Sequence, residues 1–128
     1  MFELVKSGTS YTLTTLAANS NASYGGLIAD TNGDLFGTTG YPGWGTVFEV
    51  AAGSQTQTTL ASFDYYTLGA YPTYYGTLIS DANGNLFGTT IEGGPGGGGT
   101  VFELVNTGTV TAPSYSSPPQ RAVQLRRQ

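Results

Sequence analysis

Two stretches of the chain decide its fold: residues 26–39 read GLIADTNGDLFGTT, and residues 77–90 read TLISDANGNLFGTT. They align without a gap at an offset of 51 positions, and each is followed by a glycine-rich stretch and a Val-Phe-Glu segment. Self-similarity at a period of about 50 residues is typical of tandem-repeat proteins. The chain is therefore predicted to be built from copies of one unit.

Two shorter elements recur around these stretches. They stand at residues 1–5, 47–50 and 101–105 (MFELV, VFEV and VFELV) and at residues 14–17 and 58–61 (TTLA). The connections between elements differ in length, because Leu16 to Leu27 spans 11 positions whereas Leu60 to Leu78 spans 18. Constant elements joined by loops of variable length indicate a repeated scaffold.

The elements have the character of short strands joined by tight turns. Asn32-Gly33 and Asn83-Gly84 each lie between two apolar runs. This is a strong hairpin signal, and it predicts a type I′ turn with positive φ at both central residues. One unit is then predicted to run strand, Asn-Gly turn, strand, glycine-rich loop, strand, short turn, strand. Four antiparallel strands in about fifty residues match one β-propeller blade in size.

The fold predicted from this order is all-β, with tandem four-stranded antiparallel repeats that resemble propeller blades. The propeller is incomplete, because closure typically takes at least four blades. The predicted organisation has five parts: a partial repeat with the last two strands of a blade (1–25), a complete repeat (26–63), an aromatic connecting loop (64–76), a third and mostly complete repeat with residues 109–111 as its last strand (77–111), and a disordered tail containing Pro and Arg (112–128).

Composition favours this fold class and excludes several functions. The 20 Gly, nine Tyr and 9 % charged residues are typical of strands and turns rather than helices. The net charge is −4, and three of the four basic residues (Arg121, Arg126 and Arg127) lie in the tail. Without a basic stripe, nucleic-acid binding is not expected. The sequence also shows no secretory signal, no anchor and no apolar run long enough for a membrane span.

The chain has no His and no Cys, which removes the usual catalytic triads and most transition-metal sites. It is predicted not to be an enzyme, with no catalytic residues, no metal and no cofactor. Glu3, Glu49 and Glu103 occupy the same strand position in successive copies, and alternation predicts that they face solvent.

Residues 30–34 (DTNGD) superficially resemble a calcium loop. An EF-hand needs Gly at its sixth position and Glu at its twelfth, and both are missing here. A hairpin turn in which the aspartate caps its own backbone is the preferred interpretation, with a weak calcium site as the alternative.

Aromatic residues concentrate in the variable loops and form the best candidate binding site. Tyrosine and tryptophan in loops stack on sugars or anchor protein partners. The predicted ligand-binding residues are Tyr41, Trp44, Asp64, Tyr65, Tyr66, Tyr71, Tyr74 and Tyr75. These rings could alternatively cover the ends of the domain or pack against the next blade, and the choice between a glycan and a protein ligand stays open.

The succession of residues 26–39, a glycine-rich stretch and the segment GTVFEL resembles the Gloeo/Verruco repeat of bacterial "choice-of-anchor tandem repeat GloVer-containing" proteins. The resemblance covers about residues 1–105. It implies long tandem arrays of which this chain is a fragment, a propeller-like fold, and an extracellular or cell-surface location. It implies no established activity and provides no catalytic residue to carry over.

Three functional hypotheses follow. The first is a noncatalytic module that binds a glycan or a protein partner at an exported cell surface. The second is a structural protein that self-associates through open blade edges into a ring or a fibre. The third is a fragment of a glycan-active hydrolase that uses carboxylates such as Asp64 and Glu92.

Overall fold

The computed structural model describes residues 1–16, 25–72, 76–107 and 115–116. These residues contain eleven β-strands and no helix, and each strand pairs antiparallel with its neighbours. The prediction of an all-β fold with antiparallel sheets is therefore confirmed. The strand predicted at residues 109–111 lies outside the described residues.

The first sheet is a hairpin of two strands, β1 (Phe2–Ser7) and β2 (Ser10–Thr15). Leu4 stands opposite Leu13, and Lys6 stands opposite Tyr11. Because paired residues of an antiparallel sheet share a face, these four side chains lie on one side of the hairpin together with Phe2.

The second sheet contains β3 (Ile28–Ala29), β4 (Leu35–Thr39), β5 (Thr46–Val50) and β6 (Thr58–Ser62), paired in chain order. Each strand that the sequence predicts between residues 26 and 63 is present. Phe36 pairs with Glu49, and Gly37 pairs with Phe48. Phe36 and Phe48 therefore lie on opposite faces of the sheet.

The third sheet contains β7 (Ala70–Pro72), β8 (Ile79–Ser80), β9 (Leu86–Glu92), β10 (Val101–Asn106) and β11 (Tyr115–Ser116). Its order is β11-β10-β9-β7, and β8 pairs with the beginning of β9.

Two strands of this sheet fall where the sequence predicts none. β7 lies inside the predicted aromatic loop, and β11 lies inside the predicted disordered tail, whose other residues are outside the described part of the chain. The two residues of β8 cover only one end of the edge of β9, so β7 pairs with Thr90 and Glu92 at the other end. Backbone groups on a free edge favour such additions, since unpaired donors and acceptors are costly to bury.

The Asn-Gly hairpins differ from the predicted type I′ geometry. Gly33 has φ of 87°, but Asn32 does not have positive φ, because Tyr71 is the one non-glycine residue with positive φ in the described chain. Gly33 N donates to Asp30 O at 3.2 Å, and Asn32 N and Asp34 N donate to Asp30 Oδ1 at 2.8 and 3.0 Å. The loop therefore has three residues and ends in a left-handed glycine.

The loop at residues 81–85 has the same design. Asn83 N and Asn85 N each donate to Asp81 Oδ1 at 2.9 Å, and Gly84 has φ of 80°. The prediction that aspartate caps its own backbone is confirmed in both copies, whereas the type I′ prediction is wrong.

The second and third sheets stack face to face around one apolar cluster, and a smaller cluster lies on the opposite face of the second sheet. Phe36 and Val47 of the second sheet pack with Leu86, Phe102 and Leu104 of the third sheet. The opposite face of the second sheet carries Leu35, Phe48 and Val50, which pack with Met1 beside the first sheet. Every residue of β1 and β2 is exposed, so the first sheet buries neither of its faces.

This stacking overturns the prediction that the three equivalent glutamates face solvent. Glu3 is exposed and Glu103 is half-buried, but only 7 % of Glu49 is exposed. Alternation along a strand assigns a residue to a face of the sheet, and it cannot tell whether that face meets water. Glu49 shares its face with Phe36, which packs against the third sheet.

Hydrogen bonds do not fully offset the burial of the Glu49 carboxylate. Its Oε1 atom has no hydrogen-bond partner among the described residues. Burial raises the pKa of Glu49 above its ordinary value of 4.5, and the nearby carboxylates of Asp34 and Asp30 raise it further. The folded chain therefore binds this proton more tightly than the unfolded chain does.

Stability should consequently decline as Glu49 ionises. The contribution of this group is fully present below pH 4.5 and is lost as the pH rises through the raised pKa. We expect Glu49→Gln to remove that decline and to increase the free energy of unfolding at pH 7 by about 1 kcal/mol. Urea unfolding from pH 4 to pH 8 would measure it. The matched control is Glu103→Gln, which makes the same change at the equivalent position of the next repeat, where the side chain is half-buried; an identical effect of both changes would contradict the assignment.

Candidate functional site

Five of the predicted ligand-binding residues meet in one aromatic cluster, which consists of Tyr41, Trp44, Tyr65, Tyr66 and Tyr71. The Trp44 ring lies 5.1 Å from the Tyr65 ring and 5.9 Å from the Tyr71 ring, measured between centroids. Tyr41 lies 6.0 Å from Tyr71, and Tyr66 lies 5.6 Å from Tyr65. These separations are those of direct ring contacts. Tyr74 and Tyr75 lie outside the described residues.

Three separate segments contribute to the aromatic cluster. Tyr41 and Trp44 lie in the β4–β5 connection, Tyr65 and Tyr66 follow β6, and Tyr71 lies in β7. Backbone hydrogen bonds join the segments: Tyr71 N donates to Trp44 O at 2.8 Å, and Gly94 N donates to Tyr65 O at 2.7 Å. The glycine-rich stretch at residues 93–99, predicted only as a loop between strands, thus fixes the backbone of the segment that carries Tyr65.

Two threonines, Thr90 of β9 and Thr100 directly before β10, hold the segment between Tyr65 and Tyr71. The hydroxyl of Thr100 donates to Leu68 O at 2.8 Å and lies 3.0 Å from the hydroxyl of Thr90. Thr90 Oγ1 also accepts a hydrogen bond from Thr100 N at 2.8 Å. Both threonines are buried, and hydrogen bonds of this kind are strong in a buried setting.

Tyr71 carries a strained backbone at the centre of the cluster. Its φ is 56°, in the left-handed region that side chains other than glycine rarely adopt. Strain of this kind costs about 1–3 kcal/mol and concentrates at ligand-binding and active sites. Partial burial raises the pKa of the Tyr71 hydroxyl, and Tyr41 and the carboxylate of Glu92 raise it further. Glu92 is therefore an acidic neighbour of the cluster, on the exposed end of β9.

Asp64 shapes the loop beside the cluster. Its Oδ1 atom accepts hydrogen bonds from Tyr66 N at 3.1 Å and Thr67 N at 2.7 Å, and Oδ2 accepts one from the Thr67 hydroxyl. The hydroxyl of Thr67 and these backbone amides hold the pKa of Asp64 below its ordinary value. A carboxylate held in this way fixes the backbone at Tyr66 and Thr67 and stays ionised at neutral pH.

The outer surface of the cluster is open and uneven. Tyr41 and Trp44 are exposed, and Tyr66 is 80 % exposed. Neighbouring rings are inclined by 51° to 76°, so ring faces and ring edges alternate across the surface. Such an arrangement offers several separate stacking faces rather than one flat platform.

A cavity lies between the two aspartate-capped loops. This cavity of about 500 Å³ is lined by Asp30, Asn32, Asp81, Asn83 and Asn106, among others. The capping carboxylates of Asp30 and Asp81 are engaged by their own loops. Over the described ranges, no group of three or more His, Cys, Asp or Glu residues could hold a metal ion.

Comparison of the chain with protein-family models, with curated proteins and with solved structures finds no match. The resemblance to the Gloeo/Verruco repeat therefore depends on the sequence motifs quoted above. No helix long and apolar enough to cross a membrane occurs in residues 1–16, 25–72, 76–107 or 115–116.

Sequence reasoning missed two features of this site. The sequence indicates Glu92 only as a hydrolase carboxylate, because its proximity to Tyr71 depends on the pairing of β7 with β9. Gly94 has no individual signal in a run of glycines, although its amide fixes the carbonyl of Tyr65. Both relationships join residues far apart in the chain.

Proposed function

We propose that this chain is a noncatalytic binding module that holds its ligand on the aromatic cluster. The observation that carries the proposal is the convergence of five aromatic side chains from three segments on one exposed surface, with strain at Tyr71. Aromatic rings provide large contact area at a small entropic cost, which suits them to binding surfaces.

We further propose that the sheets are blades of a propeller-like repeat array in an exported or cell-surface bacterial protein. Support comes from the four-stranded antiparallel sheet between residues 28 and 62, from its stacking on the third sheet, and from the sequence resemblance. A surface protein of this kind would present its variable loops outward, where the aromatic cluster lies.

A glycan is the ligand class that the cluster fits best. The rings offer separate faces for stacking on pyranose units. Glu92 pairs with Ala70, next to Tyr71 in β7, and its exposed carboxylate can accept hydrogen bonds from hydroxyl groups. Because neighbouring rings are tilted by more than 50°, the cluster suits a single soluble polysaccharide chain better than the flat face of a crystalline polymer.

Binding to soluble polysaccharides tests the proposal. Trp44 is the only tryptophan of the chain, so its fluorescence should change when a glycan stacks on the cluster. We expect Trp44→Ala and Tyr66→Ala each to weaken binding at least tenfold, or by about 1.4 kcal/mol, as expected when a central aromatic contact is removed. Isothermal titration calorimetry would measure the affinity of all variants, including the one without tryptophan.

The matched control is Tyr11→Ala, which removes an exposed tyrosine from β2, away from the cluster. Its affinity should equal that of the unchanged chain. Equal losses in all three variants, or no binding to any member of a broad polysaccharide panel, would overturn the glycan proposal. Capture of a defined protein that depends on Trp44 would assign the cluster to a protein ligand instead.

A further inference from the structure

Glu92 places a carboxylate beside the aromatic cluster. It pairs with Ala70, the residue directly before Tyr71 in β7, and its side chain is exposed. Partial burial and Tyr41 raise the pKa of the Tyr71 hydroxyl, and the carboxylate of Glu92 raises it as well. The negative charge of Glu92 therefore acts on the cluster, and its exposed oxygen atoms are accessible to a ligand.

Asp64 adds a second carboxylate, directly before Tyr65 in the chain. The hydroxyl of Thr67 and the backbone amides of Thr67 and Tyr66 donate hydrogen bonds to its oxygen atoms and hold its pKa below the ordinary value. Asp64 therefore contributes negative charge at neutral pH, while its oxygen atoms are engaged within the loop. Glu92 is the carboxylate that can contact a ligand directly.

Basic side chains do not offset these charges in the part of the chain that the structure describes. That part contains all eight carboxylate side chains but only one basic side chain, Lys6 of β1. Lys6 lies in the first sheet, whereas the aromatic cluster is built from connections of the second sheet and from β7 of the third sheet. A surface with this charge balance attracts cations and repels anions.

The aromatic rings favour a cation for a separate reason. The face of an aromatic ring carries partial negative charge, and tryptophan binds cations most strongly among the aromatic side chains. Trp44 is 41 % exposed and Tyr41 is 52 % exposed, so parts of both rings are open to a ligand. Sugars with carboxylate or sulfate groups are repelled by Glu92 and Asp64, and neutral sugars gain nothing from these charges. Sugars with a protonated amino group are attracted by both the rings and the carboxylates.

We propose that the glycan held by the aromatic cluster carries free amino groups, and that one of these, as an ammonium group, contacts the carboxylate of Glu92. The inference rests on the proposed function and narrows its ligand to the cationic class of polysaccharides. A chain of linked glucosamine units meets both requirements, because each unit offers a pyranose face for stacking and an ammonium group for the carboxylate.

Three hexasaccharides with the same ring size and linkage test the inference: those of glucosamine, glucose and N-acetylglucosamine. They differ in the group at one ring carbon, and only the first is charged in a slightly acidic buffer. We expect the glucosamine hexamer to bind about tenfold more tightly than either neutral hexamer, because a cation gains from the rings and from the carboxylate. Added salt should reduce this advantage, since it screens exposed charges. Isothermal titration calorimetry measures all three affinities.

Glu92→Gln removes the charge at an exposed position, so the fold should persist. It should weaken binding of the glucosamine hexamer about fivefold and that of the glucose hexamer no more than about twofold, because glutamine still accepts hydrogen bonds from hydroxyl groups. The matched control is Glu3→Gln, which changes the net charge equally. Glu3 lines a cavity with Leu35 and Val50, which pair at the end of β4 and β5 away from the connection that carries Trp44. The control should bind all three hexamers like the unchanged chain.

A hexalysine peptide distinguishes this ligand from a cationic protein. It carries as many side-chain ammonium groups as the glucosamine hexamer but no sugar ring, so it should bind at least about tenfold more weakly. Equal affinity of the peptide and the glucosamine hexamer would assign the cluster to cationic proteins and overturn the inference.

Failure of this inference can be told apart from failure of the proposed function. Equal affinities for the glucosamine and glucose hexamers, both lost in Trp44→Ala, overturn the inference and leave the proposed function standing. The same loss of affinity in Glu92→Gln and Glu3→Gln also overturns it, as does a glucosamine hexamer that does not bind. Only the absence of binding to every polysaccharide of the broad panel overturns the proposed glycan function as well.

Discussion

Replacing Phe48 by alanine is expected to lower the free energy of unfolding by about 3–5 kcal/mol. The ring is 1 % exposed and packs with Val50, Leu35 and Met1, so its removal leaves a cavity in this apolar cluster. The same change at the equivalent position, Phe2→Ala, should alter stability by no more than about 0.5 kcal/mol, because that ring is largely in solvent.

Urea unfolding followed by circular dichroism measures both changes, at a concentration at which the chain is monomeric. The two variants remove the same atoms from equivalent positions of the repeated segment. The change in strand propensity is therefore the same in both, and the difference in the free energy of unfolding reports the difference in burial. Similar losses at Phe2 and Phe48 would contradict the assignment of Phe48 to a buried position and of Phe2 to an exposed one.

Gly37→Ala should lower the free energy of unfolding by about 1–3 kcal/mol, although alanine is an unremarkable residue in a strand. A Cβ atom at Gly37 would stand 2.6 Å from Phe48 Cζ and 2.8 Å from Leu27 Cδ2. The Phe48 ring is buried and cannot move away freely, so the added methyl group overpacks the apolar cluster around it. Urea unfolding again provides the measurement.

A double-mutant cycle with Phe48→Leu tests the cause. Leucine has no atom at the position of Phe48 Cζ, so the effect of Gly37→Ala should shrink in that background, with a coupling of at least 0.5 kcal/mol as expected for residues in contact. Gly96→Ala is the control, because no atom lies within 4 Å of a Cβ at that position. Strict additivity of Gly37→Ala and Phe48→Leu would show that the ring is not what excludes the methyl group.

The strands of the repeated segments could be predicted because their signals are local. The pattern of residues 26–39 contains two apolar runs and a turn, and these are sufficient to place β3, β4 and the capped loop between them. The turn type could not be predicted in the same way, because Asn-Gly is compatible with two loop lengths. The hydrogen bonds to Asp30 select the longer one.

Features that depend on contacts between sheets could not be predicted from the sequence. Side chains in β5 point alternately to the two faces of the sheet, so Glu49 lies on the face opposite to Phe48. The sequence of β5 does not indicate that the third sheet covers this face. The aromatic residues could be named individually as a binding site, but their convergence depends on β7, which forms because β8 leaves part of the edge of β9 unpaired.

β7 also bears on how such a site could arise in evolution. The connection that contains it is seven residues longer than its counterpart between Leu16 and Leu27, and the added length supplies the segment with Tyr71. The repeated strands keep similar residues from copy to copy, whereas the longer connection between Leu60 and Leu78 occurs in one copy. New specificity can thus be gained by lengthening a single connection while the repeated strands are kept.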